Sequence, residues 1–294
     1  MTNVKLYLVL FIGIVSVSFA AIFVRLADAP PLVIAAYRML IAAGIITPFY
    51  LAKPGRFPKK LLKRDVLLIF LSSVALALNF ILWITSLQYT SIASSVVIVT
   101  SHPIFVAVIS FFLWRERLSR KAILGIAVAL GGVAIINYGG FTLGTDVIMG
   151  NILALLAAIA VGIYLIIGHY LREKISLLTY LFFVYIGSAL ILLAAMLISG
   201  YSLTGYPANT YLMFLLLALI PQLVGHSVLN KALRLVPATI VSVAILGEPV
   251  GAIILGYIIL GEGITAIEAI GSILSLGGIS MVMLYRPKTD IISI

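Results

Sequence analysis

Cysteine is absent from the 294-residue sequence, which excludes disulfides, cysteine-ligated zinc, iron–sulfur clusters and thiol nucleophiles. Charge is scarce too: 10% of residues are Asp, Glu, Lys or Arg, and nine are acidic. Soluble domains carry about 25% charged residues. With 63% hydrophobic residues and a mean hydropathy of +1.27, a water-soluble globule of this length could not hide its apolar surface. Disorder, collagen-like repeats and coiled coils fail on the same numbers. Several motifs are also missing. There is no Walker A sequence, no His-Glu-x-x-His, no Gly-x-Ser-x-Gly elbow and no TVGYG filter. ATP hydrolysis, a resident metal and a bound cofactor are therefore not expected. What is present is the composition of an integral membrane protein.

A spanning helix needs roughly 20 mostly apolar residues. Ten such runs occur, at about 4–24, 31–51, 65–86, 92–113, 121–138, 147–168, 177–198, 208–230, 239–260 and 266–285. The expected fold is thus all-α, with ten transmembrane helices joined by short loops. The first run has the outline of a signal peptide, with Lys5 ahead of it, but it stays apolar through Phe23. That is too long for a cleavable core, so it is expected to remain as a helix. Basic residues set the orientation. Seventeen of the nineteen lie in loops or flanks on one side: Lys5, the 53–64 segment, the 115–121 segment, Arg172 and Lys174, Lys231 and Arg234, and Arg286 and Lys288. Arg25 lies in an opposite-side loop, and Arg38 inside helix 2. Both termini are expected in the cytoplasm. The formal charge of +10 is a membrane-flanking belt on this reading, not a nucleic-acid footprint.

Sliding the chain by 146 residues superposes Pro103, Glu116, Gly125, Leu130, Gly131 and Gly132 on Pro249, Glu262, Gly271, Leu276, Gly277 and Gly278. Arg115, Arg117, Arg120 and Lys121 fall on Gly261, Gly263, Ala266 and Ile267, while Lys231 and Arg234 fall on Thr85 and Gln88. Equivalent loops are basic in one copy only. Five helices per copy is an odd number, so the second copy enters the membrane in the opposite sense. The expected division is 1–145 and 146–294, two inverted five-helix repeats, an architecture of transporters that work by alternating access at the repeat interface.

At this point the residues resemble a known family. The segment from Pro103 to Ile136 is similar to the end of an EamA domain, and 246–283 to the end of a second copy. "APPLVIAAYRMLIAAGI" at 29–45 resembles the family's helix 2, and "LNKALRLVPATIVSVAILGEP" at 229–249 its helix 8–9 junction. The resemblance covers nearly the whole chain. It implies the ten-helix drug/metabolite transporter superfamily, whose characterised members mostly export amino acids and other small metabolites. Two departures stand out. The first helix reads "SVSFAAIFVRLADA", without the Trp-Gly or Gly-Ser often seen there, and His102 stands where the second copy has Glu248.

Glu248 and His102 each precede a proline near the middle of their helices. Proline frees a carbonyl and opens the helix locally. A carboxylate at that depth is by default a functional hypothesis. Either Glu248 or His102 exchanges a proton during transport, or Glu248 is a structural partner at the kink. Arg38 sits seven residues inside helix 2, roughly 10 Å from the outer end. It snorkels outward, pairs with a buried acid or holds a substrate carboxylate. Gln222, His226 and Asn230 share one face of helix 8, and Ser72, Asn79, Trp83 and Ser86 a stripe of helix 3. These stripes line a substrate path or bond neighbouring helices. Tyr164 and Phe19 are candidate aromatic walls. Gly125, Ala129 and Gly132, like Gly271, Ser275 and Gly278, are small residues expected to pack helix on helix. Glu116 and Glu262 are expected at the interface, and Thr265 with Glu268 suits a capping box.

The functional expectation is a multi-pass secondary transporter of the cell (inner) membrane, exporting an amino acid or related metabolite. A proton-coupled exporter of drugs or amines is the alternative in mechanism. A lipid-modifying membrane enzyme using Glu248, His102 and His226 is the alternative in class. Candidate partners are the small-molecule substrate, protons, the lipid bilayer and a second copy of the chain. Nucleic acid is not among them.

Overall fold

The computed structural model describes residues 3–53, 62–89, 95, 98–115, 119–136, 145–261 and 266–285. Every regular element among them is helical. This is what a bilayer demands, since a helix satisfies its own backbone polar groups without water. The helices are α1 (Asn3–Leu26), α2 (Pro31–Leu51), α3 (Lys63–Tyr89), α4 (His102–Trp114), α5 (Arg120–Ile136), α6 (Thr145–Lys174), α7 (Leu177–Ile198), α8 (Ala208–Ala232), α9 (Ala238–Ile259) and α10 (Ala266–Tyr285). Among the described residues seven are long and apolar enough to cross a membrane: α1, α2, α3, α6, α7, α8 and α9. His102–Leu113 and Ala269–Val282 are shorter apolar helices. The start of the expected fourth span lies largely outside the described residues, as do Arg117, Glu116, Glu262, Thr265 and the Glu268 side chain.

Polarity is inside out. Phe11, Phe70, Phe112, Ile198, Ile273 and Leu284 are exposed on the outer surface, whereas Ser18, Arg38, Ser72, Gln222 and Asn230 are buried. Lipid tails favour this arrangement, and water would not.

α5 packs along α10 through the small-residue faces. A Cβ on Gly132 would stand 2.4 Å from the Ser275 nitrogen and 2.6 Å from the Gly271 carbonyl. A Cβ on Gly278 would stand 2.4 Å from the Ala129 nitrogen and 2.5 Å from the Gly125 carbonyl. The two helices are antiparallel, and the contact is reciprocal: each glycine meets the counterpart of its own partner. By contrast, Gly131 and Gly277 face open space. The packing face is thus the expected one, with Gly125 and Gly132 on α5 and Gly271, Ser275 and Gly278 on α10.

Two helices depart from regular winding, both where proline removes a donor. α9 is interrupted at Leu246–Gly247, between Ala238–Ile245 and Glu248–Leu255, and winds as a π-helix over Gly256–Leu260. The Gly247 N–H reaches only three residues back, to Ala244 (3.0 Å). The same bond appears 146 positions earlier, from Ser101 to Ile98 (3.1 Å), just before α4 begins. His102 and Glu248 thus each open a helical segment after a tight turn, and each is followed by proline. Ser275 of α10 donates to the Leu246 carbonyl (3.3 Å) and Ser18 of α1 to the Glu248 carbonyl (3.1 Å), so the break is supported by hydroxyls.

α8 is π-wound over Ala218–His226, around Pro221. It lies close against α1: a Cβ on Gly225 would be 2.7 Å from Val17 Cγ1, and one on Gly13 would be 2.9 Å from Leu229 Cδ2. π segments arise where an extra residue is accommodated, frequently at functional sites. This one carries Gln222 and His226.

Candidate functional site

The central cavity is lined from both halves of the chain: Arg38 from α2, Asn79, Phe80 and Trp83 from α3, His102 from α4, His226 from α8 and Glu248 from α9, among apolar neighbours such as Val161 and Leu229. It holds about 580 Å³, counted out to its open mouth. Six of the eight residues singled out from the sequence therefore meet in one place. Tyr164 and Gln222 stand just behind it, and Phe19 stacks on Phe23 (centroids 5.5 Å apart) away from the lining.

Arg38 does not snorkel. It is 1% exposed, and its Nε donates to Gln222 Oε1 at 2.9 Å. The guanidinium lies over the Phe80 ring, 4.1 Å from the centroid, a cation–π contact that strengthens when water is excluded. Because Arg Nε can only donate, it fixes which end of the Gln222 amide faces it. The backbone of Gln222 is held as well, since the Tyr185 hydroxyl donates to its main-chain carbonyl (3.2 Å). Phe80, the platform for Arg38, carries no polar signal in the sequence. Its position beside Asn79 on the cavity face of α3 was the only clue. His226 meets the same ring edge-on, with centroids 5.6 Å apart.

Glu248 faces Arg38 electrostatically across the cavity, yet among the described residues the ion pair within 4.0 Å is Lys174–Asp65, not Arg38–Glu248. A guanidinium and a carboxyl group share one cavity without forming an ion pair. His102 bonds the Val99 carbonyl through Nδ1 (3.1 Å), and its Nε2 makes no hydrogen bond of regular geometry. Trp83 is buried, and its indole Nε1 has no partner among the described residues.

Other polar residues prove to be helix–helix ties. Asn79 lines the cavity but spends Nδ2 on the Ala157 carbonyl (3.1 Å). Ser72 bonds Tyr180 (2.7 Å), and Ser86 bonds Ser95 (2.6 Å). Asn230 donates to the Tyr164 hydroxyl and to the His226 carbonyl. Arg172, expected in the solvated basic belt, is 3% exposed. Its Nε and Nη1 cap the Asn230 and Ile175 carbonyls at 3.3 and 2.6 Å. A cation there complements the negative end of α8.

Among the described residues no group of three or more His, Asp or Glu is placed to hold a metal ion. The site offers charge, hydrogen bonds and apolar wall, which suits binding a small polar molecule.

The comparisons with known proteins agree with this geometry. Two curated relatives are both uncharacterised transporters of Bacillus subtilis (strain 168). YetK is 28% identical over 260 residues, covering 86% of this chain and 78% of its own length. YdfC is 24% identical over 282 residues, covering 96% and 91%. A solved crystal structure shares the fold at 17% identity, with a TM-score of 0.81 over 97% of this chain and 99% of its own. The EamA-like transporter family matches residues 4–138 and again 148–284. A multi-pass helical membrane protein with two copies of that domain in tandem and a cavity of charged and apolar side chains, the chain belongs to the EamA-like transporter family.

Proposed function

We propose that the chain is a secondary transporter that exports an amino acid or a closely related zwitterion. The observation that carries this reading is the unpaired couple in the cavity. Arg38 is a fixed cation suited to a carboxylate, and Glu248 is an anion suited to an ammonium group. A substrate bearing both groups on one carbon would neutralise both walls at once, and the apolar lining would take its side chain. An amine or drug lacking the carboxylate would leave Arg38 buried without a counter-charge, which is costly. Arg38 therefore favours the zwitterion over the alternative of an amine exporter, and membership of a transporter family favours transport over lipid chemistry.

Alternating access fits the arrangement. The reciprocal α5–α10 contact and the matched breaks before Pro103 and Pro249 support two repeats of opposite sense, divided near 145, with the substrate between them. The loop charge bias supports ten spans and cytoplasmic termini. Glu248 is the candidate for proton coupling, with His102 its counterpart. Reporter fusions test the topology: residues 60, 118 and 290 should report cytoplasm, and residues 144 and 203 the exterior. A cytoplasmic signal from 144 would break the inverted arrangement. Counterflow of labelled amino acids in proteoliposomes tests the function. Exchange that Arg38→Met abolishes is the expected result, and exchange of amines alone would sink it.

A further inference from the structure

We propose that Trp83 is a specificity-determining donor whose indole N–H holds one oxygen of the substrate's carboxylate beside the Arg38 guanidinium. The inference rests on the zwitterion reading above and deepens it. Trp83 is 8% exposed and lines the cavity, and no group among the described residues accepts from its Nε1. Buried polar groups are nearly always paired, so an orphan on a side chain that lines a cavity asks for a ligand atom. Other orphans carry less weight. Gln222 stands behind the cavity lining, and the His102 ring has two tautomers. An indole is a donor only and has no second arrangement. If packing alone were required, phenylalanine would fill an apolar wall without stranding a donor.

The neighbours fix what the acceptor is. Asn79, Phe80 and Trp83 stand three and four residues apart on α3, so one turn of helix carries both the indole and the ring under Arg38. Asn79 Nδ2 is spent on Ala157, and Arg38 Nε on Gln222. Of the lining groups that can only donate, the terminal nitrogens of Arg38 and the Trp83 indole are left without an acceptor among the described residues; the His102 and His226 imidazoles line the cavity too. Two donors borne on one side match the two oxygens of a carboxylate, and Glu248 is left for the ammonium.

Purified protein is screened for binding of the proteinogenic amino acids by calorimetry. The strongest binder is taken forward with the amine made by removing its carboxylate. Trp83→Phe should fold, as judged by thermal unfolding, yet bind the amino acid roughly tenfold or more weakly. Its affinity for the amine should not change. An unchanged amino-acid affinity overturns the proposal. A second readout keeps the test independent of that variant's folding. The chain has two tryptophans, so 15N-tryptophan labelling gives two indole resonances, and Trp114→Phe assigns them. The Trp83 N–H should move downfield with the amino acid and stay with the amine. A resonance that ignores the amino acid also overturns the proposal. If Arg38→Met removes binding while both Trp83 readouts are silent, the zwitterion reading stands and this inference falls. If no amino acid binds the wild type, the reading itself falls and takes the inference with it.

Discussion

Along α5 and α10 the two halves of the chain touch through glycine, serine and alanine, so closely that no Cβ fits at Gly132 or Gly278. Around the central cavity the halves present Arg38 and Glu248 and hold them apart. The seam resembles the dry, small-residue contacts by which membrane helices associate. The cavity is the opposite, a place of desolvated charge that, on the proposed function, a ligand completes. On the proposed mechanism, in which the halves rock, the molecule needs both: a contact that always holds, and a contact that the substrate makes.

The largest effect is expected at the seam. Gly132→Leu should cut the yield of monodisperse folded protein at least tenfold, because overpacking against backbone costs about 1–3 kcal/mol or more. Gly131→Leu should leave the yield unchanged, since its Cβ meets open space. Equal yields from the two variants, measured by size-exclusion chromatography, would erase the distinction between seam and surface.

At the cavity, folding should survive while function is lost. Arg38→Met removes the charge but keeps an unbranched apolar body on Phe80, and amino-acid counterflow should fall by roughly 100-fold, about 3 kcal/mol for a charge-assisted contact. Normal counterflow by a folded Arg38→Met would make Arg38 structural.

How much of this was legible in the sequence depends on whether the signal is local. The breaks at His102 and Glu248 were, because proline acts on its own helix. So was the place of Arg38 within its helix. That Arg38 stays buried was not, because its partners Gln222 and Phe80 lie 184 and 42 positions away, and a tertiary bond leaves no periodicity. The π winding of α8 was equally hidden: Pro221 marks the place, but it does not say whether the helix kinks or widens. The stripe holding Asn79 reads from the sequence as a path lining or as a tie between helices, and Asn79 does both: it lines the cavity and ties α3 to the carbonyl of Ala157. Backbone acceptors have no letter in a sequence. Arg172 was counted with the basic belt because a helix end and a solvated loop read alike.

Smaller effects sharpen the comparison. Glu248→Gln keeps the shape of the side chain but not its charge, so the protein should fold, bind the zwitterion more weakly than wild type, and lose the rise in transport rate that a pH gradient gives. His102→Asn is the control at the matched position in the first half and should alter the rate less. Gradient-driven transport by Glu248→Gln equal to wild type would remove Glu248 as the coupling group. The mildest change is Gln222→Leu, which leaves Arg38 charged but loses the bond to Nε. An about tenfold rise in KM with little change in kcat is expected, matching roughly 1.5 kcal/mol for one hydrogen bond to a charged group. A fall in kcat alone would mean that Gln222 acts elsewhere than through Arg38.

The central claim is that charges from the two halves together hold one zwitterion. It is tested most directly by counterflow in proteoliposomes loaded with a single unlabelled amino acid, comparing external label on that amino acid with label on its decarboxylated amine. The account predicts exchange of the amino acid by the wild type, little exchange of the amine, and loss of amino-acid exchange in Arg38→Met. Rapid exchange of the amine, unaffected by Arg38→Met, would contradict it.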